Sequence, residues 1–458
     1  MRTSPEPFCI VAAILLAGSA AAQSPERSDP DLLAKVDAVV AARLAKPPAV
    51  GFSVAIARGG EVLVEKGYGK ADLEFDAPAD AQTMFRIGSV TKQFTAALVV
   101  RAARDGKLSL ADELGKHVPE FPLQGKRVTI EQLLDHTSGI PSYTDVGEAW
   151  QKLWPMELSH AELLALVADK PFDFEPGTEF RYNNTGYYLL GMVLEKVHGK
   201  SYAKVVADEL AKPLGLRRLR YDSNGDLIKN RAQGYTVRNG RLANDEALGM
   251  SQPGAAGALL ANAGDLVRWS MALAGGKVVT PEDYTRMCKS TVLPDGSNTG
   301  YGFGLVVTEL LGQRAVHHGG GIHGFNSVLI HLPGPDLHVA VVSNLEQASS
   351  ERLAKDLVRS VLAIPEFVVK DLPVPAELQA QIVGTFHLAQ IDLNLHVRFE
   401  NGKLLAQGDG QRAFGMLFQG EREFRADFDH EVKLEFGADG KSLTLHQGGG
   451  VFVGKRRD

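Results

Sequence analysis

The chain has 458 residues, 44% of them hydrophobic and 23% charged, with a formal net charge of −6. That length exceeds a typical single core, so two or more domains are expected. The acidic balance excludes a general nucleic-acid surface, and the basic run Lys455-Arg456-Arg457 is too short to create one.

In chain order, Arg2 precedes the apolar run "FCIVAAILLAG" and then the small residues Ala20-Ala21-Ala22. This is the order of a signal peptide over 1–22, cleaved after Ala22. The run is shorter than the roughly 20 residues of a spanning helix. The expectation is an exported protein, periplasmic or secreted, with no integral membrane segment after cleavage. Removal takes Arg2 and Glu6, one charge of each sign, and leaves the net charge at −6. Cys9 lies inside the signal, so the mature chain keeps only Cys288 and forms no internal disulfide. Cys288 reads as a small buried apolar residue.

Apolar spacing predicts a helix over 31–46, followed by two strands, "GFSVAIARGG" and "EVLVEKGYG", joined at Gly59-Gly60. Helices are predicted over 89–104, 130–136, 184–198, 202–210 and 263–273. Strands return in "RAVHH", "FNSVLIHL" and "HVAVVSN", and a helix follows over 350–362. Strands at both ends with helices between predict an α+β fold. Its antiparallel sheet is built from the two ends and flanked by helices, with a helical subdomain. The first and larger domain is assigned to 31–364. Pro365, Pro373 and Pro375 mark a linker over 365–380. The remainder, 381–458, alternates apolar and polar residues around Asn401-Gly402 and Asp439-Gly440 turns. It is expected to be a small all-β, barrel-like domain.

The run "HHGGGIHGF", His317 to Phe325, admits three readings. Gly319, Gly321 and Gly324 match a dinucleotide-loop spacing, but that loop must open a helix, and "FNSVLIHLPG" alternates like a strand. His317, His318 and His323 lack the i, i+4 helical geometry that presents two metal ligands, and there is no H-E-x-x-H. No metal or cofactor is expected. The third reading is a cleft wall, where glycine lets a substrate backbone approach a strand.

An S-x-x-K occurs twice, at Ser89-Val90-Thr91-Lys92 and at Ser201-Tyr202-Ala203-Lys204. Ser89 stands where a loop becomes an apolar helix, so Lys92 shares its face and can reach the hydroxyl. The helix N-terminus favours developing negative charge. Ser201 falls between two helices, where an N-cap is the simpler account. Tyr182 lies two residues before Asn184, and Asn184 sits at a helix start, where a cap would also explain it. "DHTSG" from Asp135 offers an Asp-His pair, but a triad there would leave Lys92 and Tyr182 without a role. No G-x-S-x-G elbow occurs.

Ser89-Val90-Thr91-Lys92, Tyr182-Asn183-Asn184 and His318-Gly319-Gly320, in that order, resemble the three motifs of the serine β-lactamase-like hydrolases. These include class C β-lactamases, D-alanyl-D-alanine carboxypeptidases, esterases and D-aminopeptidases. "LLDHTSGIPSY", "GALLANAGDLVRW" and "YGFG" add to the resemblance, which covers roughly residues 31–362. The C-terminal part is similar to the lipocalin-like β domain of some members. The resemblance implies Ser89 as nucleophile and Lys92 and Tyr182 as the proton-transfer pair, with the base of each step left open. It implies that Asn184 and His318 position substrate and protons. Gly319 and Gly320 would belong to the third-motif strand, at a sheet edge, and the N–H groups of Ser89 and Gly321 would form the oxyanion hole. The expected activity is acyl-enzyme hydrolysis of small esters, amides or short peptides. His318 stands where class C β-lactamases carry lysine, which favours esterase or peptidase members. The alternatives are a β-lactamase, or a non-catalytic protein binding cell-wall fragments or a partner.

Overall fold

The computed structural model describes residues 30–365, 368–388, 393–430, 432–447 and 450–457. The segment read as a signal peptide, which includes Cys9, lies outside them. Within them, no helix is long and apolar enough to cross a membrane.

The runs "GFSVAIA" and "HVAVVS" are apolar at nearly every position, the pattern of strands buried on both faces. They become the neighbouring central strands Gly51–Arg58 and Leu337–Ser343 of a seven-stranded antiparallel sheet. Glu61–Asp72 and Ala77–Pro78 extend it on one side. Phe325–Leu332, Gln313–Ile322 and Val306–Leu310 extend it on the other. The two ends of the larger domain thus share one sheet, as the strand distribution implies.

Period two sorts the side chains. Phe52, Val54, Ile56, Val339 and Val341 meet the helices Pro30–Leu44 and Ser350–Val361 on one face. Ala55, Ala57, Ala340 and Val342 meet Ala263–Ala274 and the helical region on the other. In that region the helix Thr91–Arg104 is buried along most of its length, and Phe94 stacks on Trp269 with centroids 4.0 Å apart. The helix is enclosed on most sides, so polar Thr91, Lys92, Gln93 and Thr95 are buried along with Phe94, Leu98 and Val99. Cys288 is buried and unpaired, and burial raises its thiol to about 11, so it is inert near neutral pH.

The C-terminal strands close into an eight-stranded up-and-down barrel. Asn401 and Gly402 both take positive φ in the turn between Leu393–Glu400 and Lys403–Gly408, as a two-residue hairpin requires. The barrel has its own core, including Phe386, Phe424 and Leu434. A helix, Ala376–Ile382, starts inside the stretch read as linker and seats Leu378 and Ile382 in that core. Pro375 immediately precedes it, so this proline opens a helix rather than marking irregular chain.

Candidate active site

Ser89 sits in a short 3-10 turn, Gly88–Val90, that runs directly into the helix Thr91–Arg104. Gly88 takes φ +49, and a Cβ there would lie 2.8 Å from the Gly321 carbonyl oxygen. The turn is therefore packed backbone to backbone against the glycine run. Ser327 fastens it from below, donating its hydroxyl to the Ile87 carbonyl at 2.7 Å.

One turn on, Lys92 is fully buried. Its Nζ lies 3.1 Å from Ser89 Oγ, 2.8 Å from Asn184 Oδ1 and 3.0 Å from the Ala256 carbonyl. Burial pushes this amine well below its ordinary value. A neutral amine has two hydrogens and one lone pair. Asn184 Oδ1 and the carbonyl only accept, so they take the hydrogens, and the lone pair is left for the Ser89 hydroxyl.

Asn184 is free for this contact because the helix Asn184–His198 is capped one residue earlier. Asn183 Oδ1 accepts from the Gly186 N–H at 2.6 Å. The capping account of Asn184 therefore belongs to Asn183. The Asn184 amide nitrogen donates to Thr144 Oγ1 at 3.2 Å, which aims its oxygen at Lys92.

Tyr182 forms part of the cleft wall. Its ring centroid is 4.7 Å from Lys92 Nζ, and its hydroxyl faces Ser89 across the cleft. Although 36% of the residue is exposed, protein surrounds the hydroxyl, and this burial raises the phenol so that it keeps its proton at neutral pH. His318 is 4% exposed. Its Nδ1 lies 2.5 Å from the Gly319 carbonyl, which only accepts, so Nδ1 carries the proton. Nε2 then accepts from the Tyr301 hydroxyl at 2.9 Å. Burial first, then nearby Lys92, lowers this imidazole to about 3, and it is neutral.

The strand Gln313–Ile322 is not an edge strand. Val306–Leu310 pairs with it as far as His317, and that ladder stops there, leaving the outer side from His318 to Ile322 to the cleft. The outer strand anchors the half it covers, while the glycine half stays open. The cleft has a volume of about 410 Å³ and is lined by Ser89, Phe180, Tyr182, Tyr301, Val306, His318, Gly319 and Gly321 among others. None of the described residues lining it carries a carboxylate, ammonium or guanidinium group.

Ser89, Lys92, Tyr182, Asn184, His318 and the glycines are thus brought together. Ser201 is not among them; its hydroxyl accepts from the Lys204 N–H at 3.4 Å as an N-cap. Asp135 bonds Thr137 and Thr291, while His136 Nδ1 accepts from the Asn183 N–H at 3.1 Å. No Asp135–His136 hydrogen bond forms, in keeping with a structural turn. His136 nevertheless matters, since its ring packs 4.5 Å from Tyr182 and 4.7 Å from Tyr301. His317 and His323 have separate partners, Thr308 and the Glu246 carbonyl. Sequence reasoning assigned no role to Tyr301, His136 or the Ala256 carbonyl. Only the aromatic "YGFG" stretch hinted at the first.

The Beta-lactamase family matches residues 36–363. The chain is 27% identical over 335 residues to Protein flp of Staphylococcus aureus (strain MRSA252), covering 70% of this chain and 65% of that protein. It therefore spans just under two thirds of that relative's length. The octameric penicillin-binding protein homologue from Pyrococcus abyssi has the same fold, with a TM-score of 0.67, 24% identity and coverage of 92% of this chain and 100% of that one. The D-stereospecific amidohydrolase from Streptomyces sp. superimposes with a TM-score of 0.61 at 26% identity, over 71% of this chain and 97% of the other. A match across residues 36–363 is most of the chain, and it places this protein in the Beta-lactamase family.

Proposed function

We propose that this protein is an exported serine hydrolase that forms an acyl-enzyme on small uncharged esters, amides or short peptides, of esterase or D-amino-acid amidase type. The observation that carries the proposal is the placement of Lys92 Nζ, held by two obligate acceptors and 3.1 Å from Ser89 Oγ. Ser89 attacks the carbonyl and Lys92 takes its proton. The N–H groups of Ser89 and Gly321 receive the oxyanion. Tyr182, which holds its proton, gives it to the leaving group and is recharged from the Lys92 ammonium. Water then releases the acyl group by the reverse proton path. His318 and Tyr301 form a neutral wall that keeps Tyr182 in place. The amidohydrolase likeness supports the amide class. Export rests on the N-terminal segment. Residues 31–364 act as the catalytic domain and 381–458, with the helix Ala376–Ile382 packed into its core, as an accessory barrel, since none of the described barrel residues lines the cleft.

The test is a fluorophosphonate probe on the purified protein, followed by peptide mapping. Label is expected on the peptide carrying Ser89. Label on Ser201 instead, or none on a folded protein, would remove the proposal.

Substrate choice follows from the same wall. A β-lactam presents a carboxylate, and this cleft offers no cation to meet it, because both His318 nitrogens are engaged and the ring is neutral. β-Lactam turnover is expected to be weak or absent beside hydrolysis of a neutral p-nitrophenyl ester. Cephalosporin hydrolysis near the diffusional range, about 10⁸ M⁻¹s⁻¹ in kcat/KM, would contradict this reading of His318.

A further inference from the structure

A second cluster of chemistry-bearing side chains lies at the opposite end of the same sheet. His331 and His338 face each other across the paired strands Phe325–Leu332 and Leu337–Ser343. Their rings stack with centroids 4.2 Å apart. Asp336 lies in the turn between them and approaches His338 Nε2 to 3.4 Å. One ligand atom from each residue, two imidazole nitrogens and a carboxylate oxygen, lies within 4.8 Å of the other two. Among the described residues no other group of three meets that condition.

The surroundings orient both rings. His331 Nδ1 lies 2.9 Å from the Tyr284 hydroxyl, and His338 Nδ1 lies 2.7 Å from Ser270 Oγ. A metal-binding histidine ordinarily has its second nitrogen held in this way, which fixes the ring and its tautomer. Both histidines are buried, at 6% and 1% exposure, while Asp336 is exposed and gives an ion a route in. Burial lowers both imidazoles, so each offers a neutral lone pair rather than a proton. Ser270, His338 and Asp336 also have the composition of a hydrolytic triad, but Ser270 is only 7% exposed inside a helix and is not offered to a substrate.

We propose that His331, His338 and Asp336 form a binding site for a divalent transition-metal ion, of which zinc is the best match. Two imidazoles and one carboxylate suit that class, and a fourth position is left for water. Ligand atoms around zinc stand about 3–3.5 Å apart at bond lengths of about 2.0–2.1 Å, so the rings must tilt and the Asp336 turn must close inward slightly. Neutral His338 offers Nε2 to an ion when its single proton sits on Nδ1, where Ser270 Oγ accepts it, so the ring stays neutral and no proton is lost. The cation is opposed by nearby Arg314 and compensated by Asp336. His331 is four residues along its strand from Ser327, the residue that fastens the Ser89 turn, or about 13 Å. The ion is therefore structural, tying the hairpin to Tyr284 and Ser270, and does not enter the reaction at Ser89.

The experiment uses untagged, chelator-treated full-length protein titrated with zinc sulfate in calorimetry, and with cobalt(II) in visible absorption. One ion per chain is expected, with a rise in Tm and a cobalt band of nitrogen–oxygen ligation. His331→Ala and His338→Gln should each lose at least tenfold in affinity, and Asp336→Asn should lose less. Circular dichroism checks that each variant is folded. Should a histidine variant fail to fold, Asp336→Asn, altered only in an exposed turn, carries the comparison. No saturable binding by the wild type, or equal binding by wild type and folded variants, would overturn the site.

Discussion

Replacing Lys92 by alanine is expected to slow acylation of Ser89 by roughly 10²–10⁴-fold, the usual contribution of a positioned general base. The loss should fall on kcat and kcat/KM together, because Lys92 faces the reacting hydroxyl and not the open cleft. Lys92→Arg should be as inactive, since a guanidinium stays protonated at any working pH. The pH profile of the wild type gives a second readout. Burial holds the amine well below 10.5, so the free-base form is favoured and is lost as falling pH protonates it. Activity should therefore fall toward acid pH along a limb that Tyr182→Phe does not abolish. Stability carries the same sign. The unfolded chain protonates Lys92 below 10.5 while the folded chain does not. The unfolded state thus binds more protons, and stability rises with pH between the lowered folded value and 10.5. Lys92→Met lacks this term, so the wild type should gain Tm relative to it as pH is raised from neutral toward 10.5. A Lys92→Ala enzyme with near wild-type acylation would assign the base to another group.

What the sequence made legible follows the range over which a signal acts. Lys92 could be placed beside Ser89 because residues three apart share a helix face, which is a local fact. The sheet could be anticipated because "GFSVAIA" and "HVAVVS" are apolar on both faces. Asn184 was ambiguous because two adjacent asparagines compete for one cap, and only the fold shows Asn183 taking it. Ala256 contributes a backbone carbonyl, and no side-chain pattern reports that. Tyr301 reaches His318 through a long-range arrangement, since it bridges Val306 at the start of the strand that pairs with the His318 strand as far as His317. The strands Phe85–Arg86 and Arg220–Tyr221 have two residues each, too few to show a period, yet both pair with Leu259–Ala261 beside the Ser89 turn. The stretch read as one helix over 202–210 changes at Ala207–Ala211 to a π-helical turn, a change of hydrogen bonding that apolar spacing does not encode.

The three glycines after His318 should respond very differently to one added methyl group, although the sequence presents them as equals. At Gly320 a Cβ would lie 2.1 Å from the Ile87 carbonyl oxygen and 2.4 Å from Ser327 Oγ. The first is backbone, and the second is the hydroxyl that fastens that same carbonyl, so neither can move aside cheaply. Gly320→Ala must therefore push the strand away from the Gly88–Val90 turn. Such overpacking typically costs about 1–3 kcal/mol. The catalytic cost is larger, because the displacement separates the Ser89 and Gly321 N–H groups that together would hold the oxyanion. Loss of one such donor costs on the order of 10²–10³ in rate, so labelling of Ser89 by a fluorophosphonate should slow by at least that factor. At Gly319 the nearest atom to a Cβ is the Ser327 carbonyl oxygen at 3.8 Å, and at Gly321 nothing lies within 4 Å. Gly319→Ala and Gly321→Ala should fold with wild-type circular dichroism and melt within a few degrees of it. Gly321→Ala adds its methyl beside the cleft, so it should alter KM for bulky acyl groups more than labelling by a small probe. The measurement is labelling rate against Tm for all three variants. Equal effects across the three would mean that the turn and the strand are not held in register by this contact. A fully active Gly320→Ala would place the oxyanion donors elsewhere.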